Sequence, residues 1–314
     1  MKITNKWQIP EHVVRLCPQS YKPKQDRISV SALIDSPRIR TLQIEKWDEI
    51  ERDVAISLTS LGGISFHDRA QKYAENDEQA ERKLEDSNDS NGNPLGLILV
   101  GKSDNYICAN FGGSNPIYQL RDWKSMGCYG LAFPDKIIKM TSQLNIYAWQ
   151  HLIRKQSVES LYLDIYWKNW KYEEYQRATD KLNSIFFDLT DGGVLDGYPP
   201  IPYSQVKLLL WSFEQQEQFI KDRIHYHLTS PMDCSDRWQT ADTFAVMKEG
   251  RKSALRVLDS FNDALGYCVA NKLSNGIILI KGISIVKREG KCIRCGVEGF
   301  YCPCWSICPD AIKD

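Results

Sequence analysis

The chain has 314 residues, 42% of them hydrophobic and 25% charged. That is enough to bury a core without covalent staples, and it excludes a disordered tail, a collagen-like fibre and a disulfide-knotted scaffold. Lys plus Arg and Asp plus Glu each total 40, so the formal net charge is zero, which argues against a protein held to nucleic acid by bulk charge alone.

In chain order, residues 1–30 are polar and show no period. Ala32, Leu33, Ile34, Ile39 and Leu42 predict a helix over 31–42, interrupted at Ser36-Pro37. Trp47, Ile50, Val54, Ile56, Leu58 and Leu61 predict a helix over 45–74, with Gly62-Gly63 inside it. Residues 75–94 are charged and then Asn/Ser/Gly-rich, and they read as a solvated helix end running into a loop. Strands are expected at 95–100, 106–109 and 116–124, a helix at 134–155 and a strand at 161–167. A Gly/Pro loop over 192–202 precedes a strand at 205–211 and a helix at 215–228. A helix over 253–271 and a strand over 276–286 lead into a cysteine-rich tail. No internal repeat is present. The expected class is α/β, a central mixed β-sheet flanked by helices. No apolar run reaches the roughly 18 residues of a membrane span, and Met1 to Trp7 has no apolar stretch of the signal-peptide kind. No membrane contact and a cytoplasmic location are therefore expected.

Four short groups fall in order along the middle of the chain. They are Gly63…His67 on a helix, Gly101…Asp104 just after an apolar strand, Asp122-Trp123-Lys124 on a later strand, and Gln143…Tyr147 on a helix. Asp122 and Lys124, two apart, leave the same face of a strand. Gln143 and Tyr147 share one helical face. Two converging carboxylates with a histidine nearby offer hard oxygen ligands and one imidazole to Mg²⁺ or Mn²⁺. A lysine beside them can orient or deprotonate a water and stabilise charge on a phosphate. Taken singly the groups read more plainly: His67 as a structural histidine, Asp122 with Lys124 as an exposed strand pair, Trp149 as core.

This order resembles the PD-(D/E)XK nuclease superfamily, and within it the RecB-like and CRISPR-associated-exonuclease branch, whose members carry G-x-x-x-H, G-x-x-D, (D/E)-x-K and Q-x-x-x-Y in sequence. Ile28 to Arg38 is similar to the family's N-terminal helix. Arg237-Trp238 with Ala245 to Lys252 is similar to a downstream segment of phage-encoded members. The resemblance covers residues 28–308. It implies a restriction-endonuclease-like core over 1–230 and a helical, Cys-rich, metal-binding cap over 231–314 packed on it. It implies metal-dependent hydrolysis of DNA phosphodiesters, as an exonuclease rather than a site-specific endonuclease, in a bacterial cell or phage-infected host. Such modules work in repair and recombination, often with a helicase or recombination partner. Under the resemblance Asp104, Asp122 and His67 hold Mg²⁺ or Mn²⁺, Lys124 assists the attacking water, and Gln143 and Tyr147 orient the DNA or the lysine. Glu81 stands where a family carboxylate can fall, in a segment that reads equally as a solvated helix face. The rival from another class is a catalytically silent nuclease-fold adaptor or nucleic-acid-binding protein stapled by zinc or an iron–sulfur cluster. The intact Asp104, Asp122 and Lys124 argue against it.

Of ten cysteines, Cys292, Cys295, Cys302, Cys304 and Cys308 crowd the tail. In a reducing compartment such spacing reads as a metal site before it reads as disulfides, either zinc or an iron–sulfur cluster. RecB-like relatives often carry a 4Fe–4S cluster on one upstream cysteine and a C-terminal trio ending C-x₅-C. Cys302 and Cys308 match that pair, with Cys295 as the third ligand. The upstream position, just before Pro37-Arg38, is Ser36 here. Cys292 therefore stands as the fourth ligand, with Cys304, Cys234 or Cys17 as substitutes, and the metal stays open between zinc and iron–sulfur.

Lys248, Arg251, Lys252 and Arg256 are expected as a basic cluster at the start of a helix. They read as phosphate contacts to single-stranded DNA or duplex ends, or equally as a solvated face. Tyr166, Trp167, Trp170, Tyr172 and Tyr175 read as core packing ahead of base stacking. His225 and His227 read as surface or DNA-facing groups. Nothing in the sequence reads base edges.

Overall fold

The computed structural model describes residues 1–17, 20–72, 80–109, 116–229, 235–296 and 302–312. The chain divides into two units, Met1–Pro231 and Met232–Asp314, each with its own apolar cluster.

The first unit opens with β1 (Lys2–Thr4), α1 (Glu11–Val14), β2 (Arg27–Ser29), α2 (Val30–Leu33) and α3 (Pro37–Glu45). Next comes β3 (Glu51–Asp53), which pairs in parallel with β1. The single helix expected over 45–74 is broken. Trp47–Glu49 is one 3-10 turn, and the Asp53 carboxylate accepts from the Ala55 N–H at 3.0 Å, capping α4 (Val54–Leu58). After Thr59-Ser60 the chain starts afresh as α5 (Leu61–Lys72).

The segment expected as a helix end and loop instead forms β4 (Ala80–Asn88), a hairpin partner of β5 (Pro94–Cys108). Leu84 and Asp86 are buried while Lys83, Glu85 and Ser87 are exposed, a period of two that the charges conceal. Buried Asp86 is satisfied from a later helix, by Gln150 Nε2 at 2.8 Å and Arg154 at 2.8 Å. Asp89 closes the turn. It pairs with Lys221 at 2.7 Å and accepts from the N–H groups of Asn91 and Asn93 at 2.9 and 2.8 Å. Lys221 first, then these amides, hold the Asp89 carboxyl well below the usual range.

The unit continues with β6 (Tyr118–Met126), α6 (Pro134–Leu152), β7 (Ser160–Trp167), α7 (Tyr172–Arg177), β8 (Phe186–Leu189), β9 (Tyr203–Leu208) and α8 (Phe213–Thr229). Seven strands make one mixed sheet in the order β2-β5-β6-β7-β9-β8, with β4 also on β5. β7 is buried almost throughout, as a central strand should be. α6 starts on Pro134 and lays Ile137, Leu144, Ala148 and Trp149 into the core with Leu99, Leu120, Leu161 and Leu163. On α8, Arg223 Nε and His227 Nε2 donate to the Leu33 carbonyl at the end of α2, at 2.9 and 3.1 Å. His227 is thus a buried helix-end partner, not the surface or DNA-facing group its sequence position suggests.

His151, fully buried near the end of α6, stacks on Tyr106 at 4.4 Å between ring centres. A neutral ring satisfies both its neighbours: Nδ1–H donates to Gln156 Oε1 at 2.9 Å and Nε2 accepts from Ser103 Oγ at 3.2 Å. Burial above all pushes its pKa down from 6.5 to about 4. The unfolded chain therefore takes up this proton before the folded one does. The contribution is complete above pH 6.5 and is lost as pH falls toward 4. At about 1.4 kcal/mol per pKa unit the loss reaches at most about 3 kcal/mol. Thermal unfolding followed from pH 7 to pH 4 should show this slope, and a His151→Gln variant should lose it.

In the second unit β10 (Thr243–Lys248) pairs antiparallel with β11 (Arg256–Leu258). α9 (Phe261–Ala270) follows, then the short hairpin β12 (Ser274–Asn275) and β13 (Ile278–Leu279), and β14 (Ile283–Arg288) on the other edge of β10. The helix expected over 253–271 begins only at Phe261, because Ser260 caps it: its Oγ accepts from the Asp263 N–H at 3.0 Å. The strand expected over 276–286 is likewise two short strands. Among the described residues no helix is long and apolar enough to cross a membrane.

Candidate active site

The sheet forks in its middle. One edge of β5 follows β4. The other edge passes from β2, paired through Ile98 to Val100, to β6, paired through Asn105 to Cys108, and Gly101 to Asp104 lie between these two ladders. Asp104 therefore does not follow a strand, as its motif suggests, but sits inside the 15-residue β5. Beyond the Asn105–Arg121 pair, β6 stays with β7, and Asp122, Trp123 and Lys124 stand opposite Leu163, Asp164 and Ile165. The Trp123 N–H donates to Asp104 Oδ2 at 2.7 Å, so a carboxylate fills the gap between the strands. Extending the β5–β6 register by one step sets Asp104 opposite Asp122.

Both carboxylates are buried, Asp122 at 2% exposure. Lys124 Nζ lies 2.5 Å from Asp122 Oδ2, while Asp122 Oδ1 is buried without a hydrogen-bond partner. Burial on its own would push the Lys124 ammonium down. The charge and hydrogen bond of Asp122, with Asp104 beyond it, outweigh burial and hold it above its ordinary value. Lys124 is a cation here, suited to holding a water or a developing negative charge.

Two helices close the fork. From α5, His67 Nδ1 reaches 3.5 Å from Asp104 Oδ2, and its ring meets Trp123 edge-on at 6.1 Å. Phe66 stacks on Tyr166 at 5.5 Å and fastens α5 to the strands. From the core side, α6 sets Tyr147 against Gly101, where a Cβ would come 3.2 Å from the Tyr147 ring. Gln143 Nε2 donates to the Tyr147 hydroxyl at 3.1 Å, so the two α6 motif residues form one unit. A cleft of about 410 Å³ opens beside His67, bounded by Gly63 and Ile64 of α5 and by Ser125 and Lys168. Ser125 and Lys168 were not legible as site residues in the sequence. The only hint is that Ser125 follows Lys124 and Lys168 follows the end of β7.

Among the described residues no group of three or more His, Cys, Asp or Glu side chains is gathered closely enough to hold a metal ion. The expected set His67, Asp104 and Asp122 is present as two carboxylates across the fork, with His67 on one of them. Comparison by sequence finds no matching family model and no matching curated protein. Among solved structures, the one described as "Crystal structure of SSO0001" is similar at 15% identity, over 68% of this chain and 84% of that one, with a TM-score of 0.41.

In the second unit Cys295, Cys302, Cys304 and Cys308 are buried. Cys292 Sγ donates to Gln239 Oε1 at 2.6 Å. Arg237 Nε donates to Cys295 Sγ at 3.5 Å and its Nη2 to the Asp310 carbonyl at 2.9 Å. Burial pushes the Cys302 thiol up, and Cys308 and Cys295 push it the same way. Cys234 lies outside the described residues, as does the side chain of Glu81. Lys248, Arg251, Lys252 and Arg256 do not start a helix. They lie on β10, on β11 and in the turn between them, because Ser260 delays the helix. Trp167 is core, as expected, but Tyr166 and Tyr172 are exposed.

Proposed function

We propose that the protein is a metal-dependent DNA nuclease that hydrolyses phosphodiester bonds, acting as an exonuclease. The observation that carries this reading is Asp122 Oδ1, a buried carboxylate oxygen with no hydrogen-bond partner beside the lysine-paired Oδ2. Such an atom is costly to bury unless a donor or cation reaches it. The second carboxylate, Asp104, lies across the fork, where it accepts from the Trp123 N–H at 2.7 Å. Mg²⁺ is commonly held by one or two carboxylates and completed by waters and substrate phosphates, so this donor pair fits it or Mn²⁺. Asp104 and Asp122 would hold the ion, and His67, 3.5 Å from Asp104, would have to shift to join them as a third donor. When bound, the ion would lower the pKa of a coordinated water and polarise the phosphate.

The chain's own groups supply the rest. The Lys124 ammonium holds the attacking water or the charge that develops on the phosphate. Gln143 and Tyr147 position the strand or the lysine from α6. In the second unit, Lys248, Arg251, Lys252 and Arg256 contact phosphates. Its tail would hold a structural zinc or a 4Fe–4S cluster through Cys295, Cys302 and Cys308, with Cys292, Cys304 or Cys234 as the fourth ligand, but only after these thiols, which are not gathered as a metal-holding group among the described residues, draw together. The Arg237 guanidinium, which donates to Cys295 Sγ at 3.5 Å, is a cation beside these sulfurs and supports that reading.

The test is degradation of end-labelled single- and double-stranded DNA with Mg²⁺, Mn²⁺ or EDTA, beside Asp104→Asn. That variant keeps an acceptor for the Trp123 N–H. Degradation should need metal and fall at least about 100-fold in the variant, the scale of losing one transition-state contact. Intact DNA with either metal, while binding persists, would leave a catalytically silent adaptor.

A further inference from the structure

We propose that the cleft beside His67 is the subsite for a backbone phosphate of a single-stranded DNA end, next to the phosphate that is cut. The inference rests on the nuclease reading and adds where the strand lies. His67 both bounds the cleft and touches Asp104, so the cleft adjoins the fork through His67, while Ser125 bounds it from the face of β6 opposite to Lys124. Its chemistry suits a phosphodiester: Lys168 is an exposed cation and Ser125 brings a hydroxyl to the same space, while the Ser60 hydroxyl is already donated to the Ser57 carbonyl at 2.6 Å. Ser125 is paired across the sheet with Tyr166, which stacks on Phe66 and is still 43% exposed. The phosphate subsite is therefore flanked by an aromatic face that a base can cover. Asp68 is the one opposing charge among the residues that bound it.

Gly63 supplies the probe. A Cβ there would meet nothing within 4 Å, so a larger side chain would extend into the cleft that Gly63 bounds. Gly62, one residue earlier, is equally unobstructed and does not bound the cleft. It is the natural control.

The experiment measures affinity for a fluorescent single-stranded oligonucleotide by anisotropy in Ca²⁺, with thermal unfolding and Mg²⁺-dependent cleavage in parallel. Gly63→Leu and Lys168→Gln should each weaken binding by about fivefold or more. Lys168→Gln should also flatten the dependence of log affinity on log salt by about one phosphate's worth. Asp68→Asn should tighten binding. Gly62→Ala should leave affinity unchanged, and both glycine variants should unfold no lower than the wild type. Affinities of Gly63→Leu and Lys168→Gln within twofold of wild type would overturn the subsite, as would failure of the wild type to bind the oligonucleotide. The two readings separate cleanly. A wild type that cleaves while the cleft variants bind and cleave normally keeps the nuclease and loses the subsite. Cleft-dependent binding without cleavage keeps the phosphate subsite and loses the nuclease.

Discussion

A Lys124→Met variant should lose about 10²–10³-fold in nuclease rate, and its stability should come to depend on divalent metal. The first effect follows, under the proposed function, from removing the cation that is paired with Asp122. The second follows from burial. Asp122 is 2% exposed, and Lys124 is the partner of one of its oxygens while the other has none. Without Lys124 both oxygens lie buried and uncompensated, a situation that costs about 3–5 kcal/mol when one member of a buried pair is deleted. In EDTA the variant should therefore unfold well below the wild type. Mg²⁺ or Mn²⁺, binding only the folded form, should recover much of the difference. The wild type should gain less from the same metal, because Lys124 already compensates the charge. Adding Asp122→Asn to Lys124→Met removes the stranded charge and should restore stability in EDTA without restoring cleavage. A Lys124→Met variant with normal rate and no metal-dependent shift in unfolding would take Lys124 and Asp122 out of the site.

What the sequence made legible, and what it hid, follows from how each signal is encoded. Asp122 and Lys124 could be placed on one face because a strand's period is fixed by its geometry, and on β6 the two side chains meet at 2.5 Å. Gln143 and Tyr147 could be paired because α6 is long and strongly periodic. β4 was hidden because its inward positions include a charged residue, Asp86, whose burial depends on Arg154 and Gln150, more than sixty residues away in sequence. The break before α4 and the late start of α9 were hidden because single capping side chains, Asp53 and Ser260, decide them against the apolar period. The fork could not be read at all. It arises because β5 is long enough to hold β2 and β6 in turn on one edge, which is a matter of pairing and not of local pattern. Asp104 is buried as a result of that pairing.

A Gly101→Ala variant should be destabilised by about 2–3 kcal/mol, near the upper end of what one inserted methyl costs in a packed region. Gly101 lies in the stretch of β5 between its two ladders, and α6 comes down directly on it. An added Cβ would fall on the Gln150 side-chain oxygen, 2.9 Å from Gln150 Cδ and 3.2 Å from the Tyr147 ring. Gln150 cannot simply turn away, because it is fully buried and its amide donates to Asp86 at 2.8 Å. The strain must pass into α6, and with it into the Tyr147–Gln143 pair. Cleavage should therefore fall along with stability, although Gly101 offers no side chain to a substrate. The cause can be isolated by a double-mutant cycle. Gln150→Ala alone loses the bond to Asp86, which keeps Arg154 as a partner. If the methyl acts by colliding with Gln150, Gly101→Ala with Gln150→Ala should cost at least about 1 kcal/mol less than the two single changes added together. Strict additivity would mean that α6 does not rest on Gly101, and that the fork is closed by something other than this contact.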